Sequence, residues 1–137
     1  MMHYGLALKY FLVMTLLLLL TGLWMFILNT SLSIEGTSAY YAPKSFHGML
    51  DTVSPHLFGM GLIIFILTHF FAILKGVKQE NFKTFSLLFV LVMLVENLSG
   101  FFVTEEGMIL SVMKLLSTLL FVVYTCVAMW RLLFLKL

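Results

Sequence analysis

Charge is what this chain has least of. Only 10% of its 137 residues are Asp, Glu, Lys or Arg, against about 25% in soluble domains. A water-exposed surface cannot be built from so few, and mean hydropathy is +1.11. Most of the chain is therefore dissolved in lipid. Cysteine is nearly absent too. Cys126 is the single one, which excludes an intrachain disulfide and C-x-x-C redox chemistry. There are two prolines, and neither interrupts a pair of apolar segments in the way broken transporter helices require. No basic run exists, and a net charge of +2 excludes nucleic acid as a partner. P-loop, GxGxxG and H-E-x-x-H patterns are missing, as is a Ser/His/Asp arrangement. A stand-alone enzyme is the less expected reading; a redox or non-catalytic subunit is the more expected one.

What is present is long apolar runs. A membrane helix needs roughly 20 apolar residues, and four segments qualify: about Leu8–Leu28, Ser54–Leu74, Thr84–Val103 and Gly107–Phe134. The first is too long for a signal-peptide core and no A-x-A-like cleavage site follows it, so it is expected to be retained. Ser54-Pro55 reads as a helix start, with Ser capping and Pro at the first position. Lys9, Lys75, Lys78, Lys83, Arg131 and Lys136 fall on one side if both termini share it, which predicts cytoplasmic termini. The expected fold is an all-α, integral membrane, four-helix up-and-down bundle, one domain over residues 1–137. The expected place is a bacterial inner membrane, as a multi-pass protein. Between the first two spans, Tyr40, Tyr41 and Phe46 suit a membrane interface, and Lys44–Thr52 reads as a short helix on the outer surface.

Small and polar residues mark the expected packing seams. Thr15, Gly22 and Asn29 are seven apart, as are Ser86, Met93 and Gly100, and Ser111, Thr118 and Thr125 with Ala128 beside them. Gly61, Thr68, Ala72 and Gly76 share a face of the second span, and His69 is expected with them. A seven-residue period implies nearly antiparallel, left-handed packing. Two charges lie inside spans. Glu96 and Lys114 are each nine positions from Glu105, on opposite arms of a hairpin. That places them at one depth, and an unpaired charge there costs about 3 kcal/mol. An intramembrane Glu96–Lys114 pair with Asn97 adjacent is expected, either as a lock on register or as a proton or quinone-headgroup site.

The stretch SPHLFGMGLIIFILTHFF (54–71) carries His56 and His69 near its two ends. Thirteen steps separate them by roughly 20 Å along a helix, so they cannot share one metal. His47 and Asp51 share a face four residues apart, and a fold-back of Lys44–Thr52 would let His47, Asp51 and His56 bind zinc or copper. Met14 falls near the depth of His69 and is a conceivable axial partner. His3 lies outside the membrane and is given no role.

A span with a histidine near each end, H-x12-H, together with TGL in the first span (21–23), resembles small bacterial b-type membrane cytochromes. The resemblance implies haem b held by His56 and His69, and electron transfer as a subunit or anchor of a respiratory complex, with quinone as a redox partner. Its departures are that the third and fourth spans carry no histidine, and that thirteen steps turn the two rings about 140° apart. Two other readings stand beside it. One is a structural or assembly subunit that binds other membrane subunits, or a second copy, through apolar faces. The other is a small transporter or proton-path subunit using Glu96, Lys114 and His69.

Overall fold

The computed structural model describes residues 2–73, 79–105 and 107–134, with side chains described for all of these but residues 2–4 and 79. Five helices follow one another: α1 (Met2–Thr30), α2 (Ile34–Tyr41), α3 (Phe46–Ile73), α4 (Gln79–Ser99) and α5 (Met108–Phe134), with a 3-10 turn, Gly100–Phe102, closing α4. The architecture is all-α. Four helices, α1, α3, α4 and α5, are long and apolar enough to cross a membrane. Residues Lys75, Gly76, Lys78, Glu106 and Lys136 lie outside the described residues.

α1 ends in a tight reversal. Ser31 and Leu32 both take positive φ of 51°, a left-handed conformation that few residues other than glycine adopt. The reversal is held by Thr30, whose buried hydroxyl donates to the Phe26 carbonyl. Ser33 then caps α2 by accepting from the Gly36 N–H at 2.9 Å. A Cβ on Gly36 would collide with the Thr30 carbonyl, so α2 can lie this close to α1 only with glycine there. α2 also touches α5 and is tied to the α4–α5 turn, where the Ser38 hydroxyl donates to the Thr104 carbonyl at 3.0 Å.

α3 begins eight residues earlier than Ser54. Ser45 supplies the cap, accepting from the Gly48 N–H at 3.2 Å, and Pro55 stands inside the helix. The expected separate helix over Lys44–Thr52 is instead mostly the first turns of α3; the short helix at this end is α2. Proline has no N–H to offer the Asp51 carbonyl four residues back, and side chains brace the turns around it. Here Thr52 donates to the Gly48 carbonyl at 3.0 Å, and His56 Nδ1 lies 2.8 Å from the Thr52 carbonyl.

The expected seams divide in two. On α5, Ser111, Thr118, Thr125 and Ala128 are all buried, and so are Met93 of α4 and Gly100 in the 3-10 turn that follows it. On α1 only Thr15 is buried, while Gly22 and Asn29 are exposed. On α3 the buried stripe is Met49, Ile64, Leu67 and Phe71, not the face of Gly61 and Thr68. The reason is visible in α1, the most peripheral span. Leu8, Leu12 and Thr15 anchor its N-terminal half and Thr30 its end, but between them it stands off from α3.

At the end of the bundle remote from α2, aromatic rings fill the core. Phe89 is fully buried, with Phe121 at 5.9 Å, Phe85 at 5.8 Å and Tyr124 at 6.0 Å between centroids; Phe71 reaches Phe85 at 5.5 Å. The α2 end is different: it holds the buried charges and a cavity.

Candidate functional site

Glu96 sits near the end of α4 and Lys114 near the start of α5, roughly 9 Å into that helix at 1.5 Å per residue. Both are more than nine-tenths buried. Lys114 Nζ lies 2.6 Å from Glu96 Oε1 and also donates to the Glu96 backbone carbonyl. Thr118, one turn on, places its hydroxyl 3.4 Å from the same carboxylate oxygen. Asn97 donates to the Met93 carbonyl at 2.9 Å and faces the Met60 sulfur at 3.2 Å. That main-chain acceptor assigns the amide nitrogen and leaves Oδ1 on the other side. The structure thus brings Glu96, Asn97 and Lys114 into one polar cluster.

Tyr41 closes the cluster from α2. Lys114 Nζ stands 5.3 Å from its ring centroid, and the ring rests on Gly100, where a Cβ would come within 3.2 Å of it. Burial first, and then the Glu96 carboxylate and Tyr40, push the Tyr41 phenol well above the ordinary tyrosine range, so it stays a neutral hydrogen-bond donor. Tyr40 packs edge-on against it at 4.9 Å and carries Lys44 over its own face at 3.7 Å.

A cavity of about 550 Å³ lies against this cluster. Its walls come from α1, α3, α5 and, at Glu96 and Asn97, α4, and Tyr40 and Tyr41 close its α2 end. Leu18, Gly22 and Met25 of α1 and Pro55 and His56 of α3 line it and are also exposed at the surface. The cavity therefore opens sideways between α1 and α3, at the level of the apolar spans. Gly22 and Gly59 line it from the two lips, and neither has an atom within 4 Å of where a side chain would begin. These glycines face open space rather than a packed neighbour.

One hydroxyl on the wall stands out. Every other threonine in a described helix donates to the carbonyl four residues earlier. Thr15 does not, and its buried hydroxyl has no partner among the described residues. Leaving such a group unpaired costs about 1–3 kcal/mol.

The remaining candidates disperse. His47 and Asp51 are exposed on the first turns of α3, and His56 lies nine residues after His47, half a turn away around the same continuous helix. The fold-back that was to gather His47, Asp51 and His56 does not form, and the described residues hold no group of three His, Cys, Asp or Glu placed to bind a metal ion. His69 points out of the bundle between Phe65 and Phe70, with ring centroids at 6.2 and 6.4 Å. Met14 is exposed on the outward face of α1. Of the four histidine and methionine candidates, only His56 lines the cavity.

Tyr41 and the glycine lips escape a reading of the sequence. YY in a loop signals a membrane interface, and a glycine in a helix signals packing. Neither pattern says that α2 turns back over a hole.

Residues 28–137 match the model of the Aq_1264_TM family, described as a transmembrane helical domain. The chain belongs to this family. The match spans about four-fifths of the chain. It covers α2 to α5, and so the Glu96–Lys114 pair, Tyr41 and the α3 lip, while Thr15 and Gly22 lie before it. No curated protein and no solved structure matches. The protein is a multi-pass membrane protein of this family.

Proposed function

We propose that this protein is a membrane subunit that holds a small amphipathic molecule drawn sideways from the bilayer. The molecule's polar head would rest on Glu96, Asn97 and Lys114, with its tail leaving between α1 and α3. The observation that carries this reading is the cavity of about 550 Å³, which joins a buried charge cluster to an opening between apolar helices. Ligand sites between bundle helices are mostly apolar with a few convergent polar groups, and this one has that composition. A quinone fits the class, and so does the setting of a respiratory or redox complex in a bacterial inner membrane, with further subunits or a second copy alongside.

The test is to extract the protein from its own membranes directly into nanodiscs and count lipophilic molecules per chain by mass spectrometry. Gly22→Phe and Gly59→Phe place rings in open space and fill the cavity. Wild type is expected to retain one molecule that both variants lose, with unchanged melting. Equal contents in all three would overturn the reading.

A second reading keeps one support. A carbonyl can only accept, so the contact with Thr52 puts a proton on His56 Nδ1, and no described residue bonds its Nε2. A ligating histidine is usually oriented in this way. Haem b held by His56 at the cavity lip would need its other axial ligand from a neighbouring chain, because His69 and Met14 face outwards. A reduced-minus-oxidised spectrum of protein made with ample haem tests it: a b-type alpha band lost in His56→Ala supports it, and a flat spectrum removes it.

A further inference from the structure

The unpaired atoms of the cavity specify the head that it takes. Glu96 spends Oε1 on Lys114 and Thr118. Its Oε2 accepts no hydrogen bond from any described residue. Asn97 spends its amide nitrogen on Met93 and Met60, and its Oδ1 likewise accepts nothing. Both residues line the cavity and are more than nine-tenths buried. Neither oxygen is among the sealed, unpartnered atoms, so each keeps some access to the space beside it. The carboxylate's charge is already met by Lys114 at 2.6 Å. What is left unmet is acceptor capacity, not net charge.

A ligand with a carboxylate or phosphate head would set its own acceptors against these two oxygens. A quaternary ammonium head has no hydrogen to offer them, and a further cation would bring an unbalanced charge into the apolar bundle. An uncharged head bearing hydroxyls satisfies both oxygens without adding charge. Such a hydroxyl can also accept a hydrogen bond, and the neutral Tyr41 phenol lies at the same end of the cavity as a donor. The open space at Gly22 and Gly59 gives the head a way in from the bilayer.

We infer that the cavity selects an uncharged, hydroxyl-bearing head on an apolar tail, donating hydrogen bonds to Glu96 and Asn97 and entering past Gly22 and Gly59. This rests on the ligand-holding reading above and narrows it to a chemical class. A hydroquinone-type molecule and a glycerolipid with a free hydroxyl share this chemistry.

The experiment uses the full chain in nanodiscs of defined phosphatidylcholine, with tritiated decyl hydroquinone as probe. Decyl quinone, decyl hydroquinone dimethyl ether and 1,2-dioctanoylglycerol compete. The hydroquinone is expected to bind once per chain, about tenfold or more tighter than the quinone and the diether, neither of which donates. Asn97→Leu should shrink that preference while leaving diether binding in place, which also shows that the variant folds. Gly22→Phe should abolish binding of every probe. Dioctanoylglycerol competing as well as the hydroquinone would support the class and point to a lipid alcohol; weak competition would support it and point to a hydroquinone. Equal binding of hydroquinone, quinone and diether, all lost in Gly22→Phe, would overturn the donor-head inference and leave the ligand-holding reading standing. Binding of no probe, or binding indifferent to Gly22→Phe, would overturn both.

Discussion

Lys114 Nζ and Glu96 Oε1 stand 2.6 Å apart across the α4–α5 hairpin, eighteen residues apart in the chain and at one depth in the bundle. Removing one partner leaves the other charged and buried, which typically costs about 3–5 kcal/mol, whereas replacing both can be nearly neutral. Glu96→Gln and Lys114→Met are each expected to lower stability by about that amount, and the double variant by much less. Thermal unfolding in one detergent for all four proteins checks this. A double variant as unstable as the sum of the two singles would show that the residues do not act as a pair.

Gly36 and Gly100 hold α2 in place. A methyl group at residue 36 meets the Thr30 carbonyl, which is backbone and cannot swing aside. Gly36→Ala should therefore destabilise by about 1–3 kcal/mol, the usual cost of overpacking. At Gly100 the nearest atoms are the Met49 methyl and the Tyr41 ring, so Gly100→Leu should displace the ring. Tyr41 fluorescence quenching by aqueous iodide should rise in Gly100→Leu and stay low in wild type.

Tyr41 gives the protein an alkaline limit. Its folded pKa is raised above the unfolded value, first by burial and then by Glu96. Above pH about 10 the unfolded chain gives up the phenolic proton while the folded chain keeps it. Stability is therefore full below that pH and falls as pH rises past it. Melting temperature measured from pH 8 to 11 should drop at the alkaline end in wild type and drop less in Tyr41→Phe.

The aromatic core should respond to truncation as lipid-facing rings do not. Phe89 is fully buried among three other rings, and Phe89→Ala is expected to cost about 3 kcal/mol. Phe65, on the outward face of α3, is 67% exposed, and Phe65→Ala should stay within about 0.5 kcal/mol. Unfolding in mixed micelles distinguishes the two.

Apolar length alone determined that four helices cross a membrane, because lipid leaves no other way to satisfy a backbone over so many uncharged residues. Sequence spacing also placed Glu96 and Lys114 at one depth, since an antiparallel hairpin maps equal distances from a turn onto equal depths. Residue type was a weaker guide. Ser45 and Ser54 are equally good caps in isolation, and only the continuous helix from Phe46 shows which one is used. That same continuity puts His56 half a turn from His47 and dissolves the expected metal trio. Gly22 has the spacing of a packing residue, yet it faces open space. A glycine permits close approach and equally permits a gap, and the choice depends on how far the neighbouring helix stands. The tertiary structure made that choice. α2 is wedged between α1 and α5, which sets α1 off from α3 and leaves a cavity beside the ion pair.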